Sequence, residues 1–270
     1  MALSASVQER LKTKYGPWAL VTGSSSGIGL AMAEALARAQ LNLILMARNE
    51  TRLNEVADKL SQQYPIHCMV IAADLSTDEG VVQVKGMTRD KEIGLLIAAA
   101  GFGTSGEFLN ADLAAELNMN QVNMNALLSL SHHFAQQFAV NKRGGLILLS
   151  SLVGFQGTPY AANYAATKAY VQSLGEALYL ELKPHGVDVL AAAPGPVSSG
   201  FSTRANMQMG KTLSPETVAI ESLSKLGRRG TVLPGFLTKF LVYSLRMLPR
   251  WGKVRVMRLV MGGMTKHQRI

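Results

Sequence analysis

From Trp18 to Val197, short and wholly apolar runs alternate with longer segments in which apolar residues recur at helical spacing. The runs predict strands near 19–21, 43–46, 69–72, 95–98, 146–149 and 187–190, and their uniform apolarity predicts burial on both faces. The intervening segments predict helices over 27–39, 50–63, 77–88, 112–139, 160–183 and 215–226. Ser214-Pro215-Glu216 marks the start of the last helix: a capping hydroxyl, a first-turn proline and an acid at the positive helix end. Single strands alternating with helices indicate the α/β class, a doubly wound parallel sheet with helices on both faces. No repeat, low-complexity stretch or linker divides the chain. We expect one domain over residues 1–235 and a helical extension of that domain over 236–270.

The 270 residues suffice for a large core, and 48% hydrophobic against 17% charged residues exclude a disordered chain. Cys68 is the sole cysteine, so no internal disulfide can form, and a reducing, cytoplasmic compartment is expected. Its place in the run Ile66–Val70 suggests packing rather than nucleophilic chemistry. The first ten residues lack the apolar core of a secretory signal. The nearest approach to a membrane span, Phe236 to Leu248, is interrupted by Lys239 and Arg246. Each such charge costs about 2.5–3.5 kcal/mol at a bilayer centre, which disfavours spanning the membrane but not lying on it.

The net charge of +9 is unevenly placed. Residues 1–221 hold 16 Lys and Arg against 18 Asp and Glu, whereas 222–270 hold 11 Lys and Arg and no acid. In this tail Phe236, Leu237, Phe240, Leu241, Tyr243, Met247 and Leu248 would cover most of a helix, followed by Pro249-Arg250-Trp251 and a cationic stretch from Lys253 to Arg258. An apolar helix edged with cations reads as a peripheral membrane element, a cover over a lipophilic pocket, or a dimer contact. The positive charge would also suit an acidic carrier or a phosphate-bearing thioester. No nucleic-acid module accompanies it, so nucleic acid is not an expected partner.

Directly after the first predicted strand comes Thr22-Gly23-Ser24-Ser25-Ser26-Gly27-Ile28-Gly29, followed by a helical run. Glycines at 23, 27 and 29 allow a tight turn, close approach to a pyrophosphate and close helix–strand contact, with the helix N-terminus facing the anion. The expected cradle is therefore Gly23, Ser25, Ser26, Gly27, Ile28 and Gly29. The second strand ends in Ala47-Arg48. With no acid to bind a ribose 2′-hydroxyl and an arginine to accommodate a 2′-phosphate, NADP(H) is expected over NAD(H).

Tyr164 and Lys168 lie four apart on a predicted helix and so share a face, where an ammonium can lower the pKa of a phenol from near 10. Ser151, 13 positions upstream of Tyr164 at a strand end, is placed to hold a substrate oxygen. These three residues form the candidate catalytic group, and no metal ligand set is expected.

Together the motifs resemble the short-chain dehydrogenase/reductase family in its classical form, over roughly residues 15–235. The resemblance implies a catalytic tetrad of Asn123, Ser151, Tyr164 and Lys168, with Asn123 completing a water-mediated proton path and Lys168 also gripping the nicotinamide ribose. It implies cofactor contacts at Asp74, Gly101, Pro194, Gly195, Val197 and Ser199, the last standing where the family often has threonine. It also implies a Rossmann-type sheet of about seven strands and reversible carbonyl/alcohol oxidoreduction. One departure is plain: where the family usually reads Asn-Asn-Ala-Gly, this chain reads Ala98-Ala99-Ala100-Gly101, lacking the amides that would brace the neighbouring strand. Phe201 to Leu213, polar and Met-containing, is expected to form a lid. The expected activity is NADP(H)-dependent reduction of a lipophilic carbonyl, such as a 3-oxoacyl thioester or a steroid-like ketone, by a homo-oligomer. A catalytically idle NADPH-binding scaffold, docked to a membrane or protein partner, is the alternative, and the intact tetrad argues against it.

Overall fold

A computed structural model describes residues 2–210 and 212–268, so Met1 and Lys211 of the segments above lie outside the described residues. The sheet strands are β1 (Trp18–Thr22), β2 (Asn42–Ala47), β3 (Cys68–Ala72), β4 (Ile93–Ala98), β5 (Gly144–Leu149), β6 (Val187–Ala192) and β7 (Thr231–Val232). All pairings are parallel, in the order β3-β2-β1-β4-β5-β6-β7. The chain first winds outward to β3 and then returns past β1 to β4. Between β1 and β4 the direction of winding reverses, and the carboxyl ends of these strands leave a crevice there.

The strands are apolar throughout because both faces are covered. Leu20 on β1 pairs in register with Ile44 and Leu96, and all three enter one buried cluster with Leu146 and Phe134. Their neighbours Val21, Leu45 and Ile97 point the other way, into a second cluster. That second face is covered by α1 (Ala5–Tyr15), α2 (Gly27–Arg38), α3 (Glu50–Gln63) and α9 (Pro215–Lys225). The first is covered by α4 (Asp78–Met87), α6 (Leu127–Val140) and α7 (Ala162–Glu181).

Three elements differ from the sequence reading. Helix α1 was not expected. It buries only the narrow stripe Val7, Leu11 and Tyr15, and the Tyr15 hydroxyl donates to Asp188 Oδ2 on β6 at 2.6 Å. Strand β7 has two residues, too few to show a period. The single helix expected over 112–139 is α5 (Leu113–Asn120), a π-helical segment Gln121–Ala126, and α6. The expected lid contains a short helix, α8 (Phe201–Arg204). Cys68 is half-buried on β3, and burial pushes its thiol up, away from thiolate chemistry.

A third apolar cluster lies beyond the carboxyl ends of the strands. There α10 (Phe236–Arg246) and α11 (Arg250–Met264) set Val242, Leu245, Met257 and Met261 against Leu152, Tyr164 and Met207. The tail is thus a roof over the crevice.

Candidate active site

At the end of β1 the backbone turns through Gly23, with φ +69°, and Gly27, with φ +57°, conformations that a side chain rarely adopts. A Cβ on Gly29 would stand 2.3 Å from the Gly23 carbonyl oxygen, so the first turn of α2 closes onto β1 only with glycine there. This leaves the N-terminus of α2 open toward the crevice, a surface fit for a pyrophosphate.

The Ala98-Ala99-Ala100 departure has a structural answer. Thr22, buried at the end of β1, accepts from the Ala99 and Ala100 backbone N–H groups at 3.1 and 3.0 Å and donates to the Ile97 carbonyl at 3.3 Å. The strand is braced from β1 by a hydroxyl, and no amide on β4 is needed for that purpose.

A cleft of about 620 Å³ runs across the crevice, within the range of small-molecule sites. Gly23, Ser25, Ser26, Gly27, Ile28 and Gly29 form one wall, Arg48 and Asp74 the far end, and Gly101, Ser151, Tyr164 and Lys168 the centre; Pro194, Gly195, Val197 and Ser199 close the other side. Asn123 is the exception. It sits behind the wall, where Oδ1 accepts from Phe102 N at 3.1 Å and Nδ2 donates to Phe102 O at 2.9 Å and to Thr167 Oγ1 at 3.1 Å. A Cβ on Gly101 would lie 2.8 Å from Asn123 Oδ1 and 3.5 Å from Lys168 Nζ, so both groups face the glycine.

Ser151 caps the short turn after β5, accepting from Val153 N at 3.4 Å, and its hydroxyl hydrogen-bonds the Tyr164 phenol. One turn along α7, Lys168 Nζ donates to the Leu149 carbonyl at 2.8 Å and stands 5.8 Å from the centre of the Tyr164 ring. Burial pushes the Tyr164 phenol up to about 12, outweighing the hydrogen bond from Ser151 that pulls it down. Burial also lowers Lys168 to about 8, so its ammonium persists at neutral pH. The sequence leads one to expect Lys168 and the charge of an oxidised nicotinamide to draw the phenol toward neutrality; burial works against them and favours the protonated phenol.

At the end of the cleft beside Arg48 and Asp74 a residue appears that the sequence did not single out. Arg204, on α8, lies over the Phe102 ring, 4.1 Å from its centre, and lines the cleft with Arg48 and Asp74. Burial and the neighbouring Arg48 lower its pKa, while Asp74 opposes them. Burial would raise the Asp74 carboxyl, but the Ser76 hydrogen bonds and the charges of Arg48 and Arg204 bring it below its usual value. Nothing local in Phe201–Arg204 announces this, because it depends on α8 reaching across to the ends of β2 and β3. At the other end Phe201 lies against Tyr164, ring centres 5.2 Å apart, beneath Met207, Leu245, Met257 and Met261.

Residues 17–210 match the family model for the short chain dehydrogenases, more than half of the chain. The chain belongs to that family. This short chain dehydrogenase is 28% identical over 243 residues to a 7β-hydroxysteroid dehydrogenase of Mediterraneibacter gnavus, covering 87% of this chain and 92% of the relative. It is 33% identical over 227 residues to a very-long-chain 3-oxoacyl-CoA reductase-like protein of Arabidopsis thaliana, covering 81% and 72%. A short-chain dehydrogenase from Sphingobium yanoikuyae, solved in complex with NADPH, superposes with a TM-score of 0.78 at 28% identity, covering 86% of this chain and 94% of that one. The protein is therefore an oxidoreductase of the short-chain type that uses a nicotinamide nucleotide.

Proposed function

We propose that this short chain dehydrogenase reduces a bulky lipophilic ketone with NADPH. The observation that carries the substrate class is the environment of Tyr164: its phenol faces a chamber walled by Phe201, Met207, Leu245, Met257 and Met261, with few polar groups to hold a hydrophilic substrate. Methionine-rich walls accommodate large and irregular apolar bodies. The relative named for a hydroxysteroid and the relative named for a long-chain 3-oxoacyl thioester both support a substrate of this kind.

For the cofactor, the glycine cradle fits a pyrophosphate, and the cationic pair Arg48 and Arg204 at the far end fits a ribose 2′-phosphate, with no acid at the end of β2 to repel it. When bound, the reduced nicotinamide supplies a hydride to the carbonyl carbon. The remaining work falls to the chain. Ser151, now bonded to Tyr164, donates to the carbonyl oxygen and fixes it beside the phenol. Tyr164, protonated well above neutral pH, gives its proton to the oxygen as negative charge develops there. The Lys168 ammonium, charged below about pH 8, steadies the phenolate left behind. Asn123 acts indirectly, holding Phe102 and the adjoining Gly101 wall in place.

The test is NADPH oxidation across a panel of steroid ketones, 3-oxoacyl thioesters and small hydrophilic ketones. Turnover should favour the first two classes, and Tyr164→Phe should lower it by about 10² to 10⁴-fold with NADPH binding retained. No oxidation with any carbonyl would leave an NADPH-binding scaffold, and turnover confined to small hydrophilic ketones would overturn the substrate class.

A further inference from the structure

Helix α10 is apolar on two opposite faces. At about 100° per residue, Thr238, Val242 and Leu245 form a stripe that is buried against the body of the protein, whereas Phe236, Phe240, Tyr243 and Met247 form the opposite stripe. That second stripe points into solvent: Phe236 is 82% exposed and Met247 87%. The surface continues onto α11, where Trp251 is 63% exposed and Leu259 78%. An apolar area of this extent on a folded protein marks a contact with something else.

Its chemistry identifies the partner class. The aromatic residues are interleaved with cations: the Arg246 guanidinium lies 5.1 Å from the Tyr243 ring centre, and that of Arg255 lies 4.8 Å from Trp251. No acid follows Glu221 in the sequence, and Glu221 itself is engaged by Lys239 at 3.1 Å. Two copies meeting through this face would bring cations against cations. Aromatic side chains among Arg and Lys, with no acid, instead match the headgroup layer of an anionic bilayer, where rings sit at the acyl boundary and cations meet lipid phosphates. No described helix is long and apolar enough to cross a membrane, so contact would be at the surface.

We propose that the outer face of α10 and α11 docks this protein onto the surface of an anionic lipid bilayer. The docking also orients the active site. Ser244 and Val260, both exposed, line the cleft from α10 and α11 beside the docked stripe, so the chamber reaches the surface at the flank of these helices. A ketone dissolved in the bilayer would enter there without crossing water, a consequence that rests on the reduction proposed above; the docking itself does not.

The experiment is co-sedimentation of the full chain with vesicles of phosphatidylcholine containing phosphatidylglycerol, and with phosphatidylcholine alone, at low and high salt. NADPH binding and oligomeric mass are measured on the same samples. Binding should require the anionic lipid and weaken with salt, because exposed charges are screened over about 8 Å at physiological ionic strength. Phe240→Ser with Trp251→Ser, neither residue lining the cleft, should cut the partition coefficient at least about tenfold and leave the melting temperature and NADPH affinity unchanged. If that variant is less stable, Arg250→Gln with Arg258→Gln provides the same test by removing exposed charge alone. No binding to anionic vesicles at low salt overturns the proposal, as does binding indifferent to these substitutions. So does a lipid-free dimer that dissociates in the Phe240/Trp251 variant, which would show a second copy covering the face.

Discussion

Replacing Thr22 with valine tests how this chain compensates for the missing asparagines after β4. The substitution keeps the branched shape and the burial, and removes one oxygen that accepts from two backbone N–H groups at 3.1 and 3.0 Å and donates to the Ile97 carbonyl. Stranding a fully buried donor costs about 1–3 kcal/mol. The Ala99 N–H also donates to the Ile97 carbonyl at 3.1 Å and keeps that partner, whereas the Ala100 N–H loses its own. Ala100 is only partly buried, so the loss belongs at the low end, about 1 kcal/mol. For a domain of this size that corresponds to a fall in melting temperature of about 2–4 °C. Because Ala100 leads into Gly101 and packs directly against Gly23, where a Cβ would stand 2.9 Å from the Ala100 Cα, NADPH affinity should fall as well. Thermal melting with and without NADPH, run on Thr22→Val and Thr22→Ser, separates the causes. Serine keeps the hydroxyl and should recover most of the loss. If serine and valine destabilise equally, the methyl group is what matters and not the hydroxyl; if valine is as stable as the parent, water satisfies the Ala100 N–H and Thr22 braces nothing.

Arg48→Ala and Arg204→Ala should each raise the NADPH dissociation constant by about tenfold or more, as expected for a lost hydrogen bond to a charged group, with little change for NADH. Equal effects on both nucleotides would remove these residues from the 2′-phosphate. The rate of reduction should decline as pH rises through about 8, because burial holds Lys168 near that value and its charge is lost above it. Lys168→Arg, whose guanidinium stays charged throughout, should move that decline to higher pH in an NADPH-oxidation profile. An unmoved alkaline limb would assign it to another group.

The strands and most helices could be read from the sequence because burial on both faces makes each central strand a block of apolar residues, as in Leu43–Met46 and Leu146–Leu149. The glycine cradle and the Tyr164/Lys168 pair could also be read, since each is local: the first is set by backbone sterics and the second by one helical turn. What escaped depends on distance or on weak patterning. Helix α1 buries a single side chain per turn, β7 is two residues long, and the answer to Ala98-Ala99-Ala100 lies more than 70 positions upstream, at Thr22. Arg204 reads as one cation in a polar segment until the fold carries α8 over Phe102. Desolvation of Tyr164 likewise follows from the roof helices and the chamber they enclose, which the spacing of Tyr164 and Lys168 does not contain.

The π-helical segment Gln121–Ala126 between α5 and α6 holds Asn123 at the point where its amide meets Phe102 and Thr167. A π turn accommodates one residue more than an α turn in the same length of helix. Deleting a single residue there would remove the bulge and let α5 and α6 fuse into one regular helix with their faces kept, but without the π turn that presents Asn123. Closing the segment with every residue retained would instead rotate everything on one side of the junction by about 100°. Either Asn123 would leave Phe102, or the stripe Leu127, Leu130, Phe134 and Phe138 would leave the sheet. The chain's length at this one place is therefore under stricter constraint than most of its side chains. A substitution in the segment adjusts the site by degrees, but an insertion or deletion forces a choice between core and active site. Natural or engineered variants of this protein should accordingly tolerate changes of loop length elsewhere and keep the residue count between Leu113 and Val140 fixed.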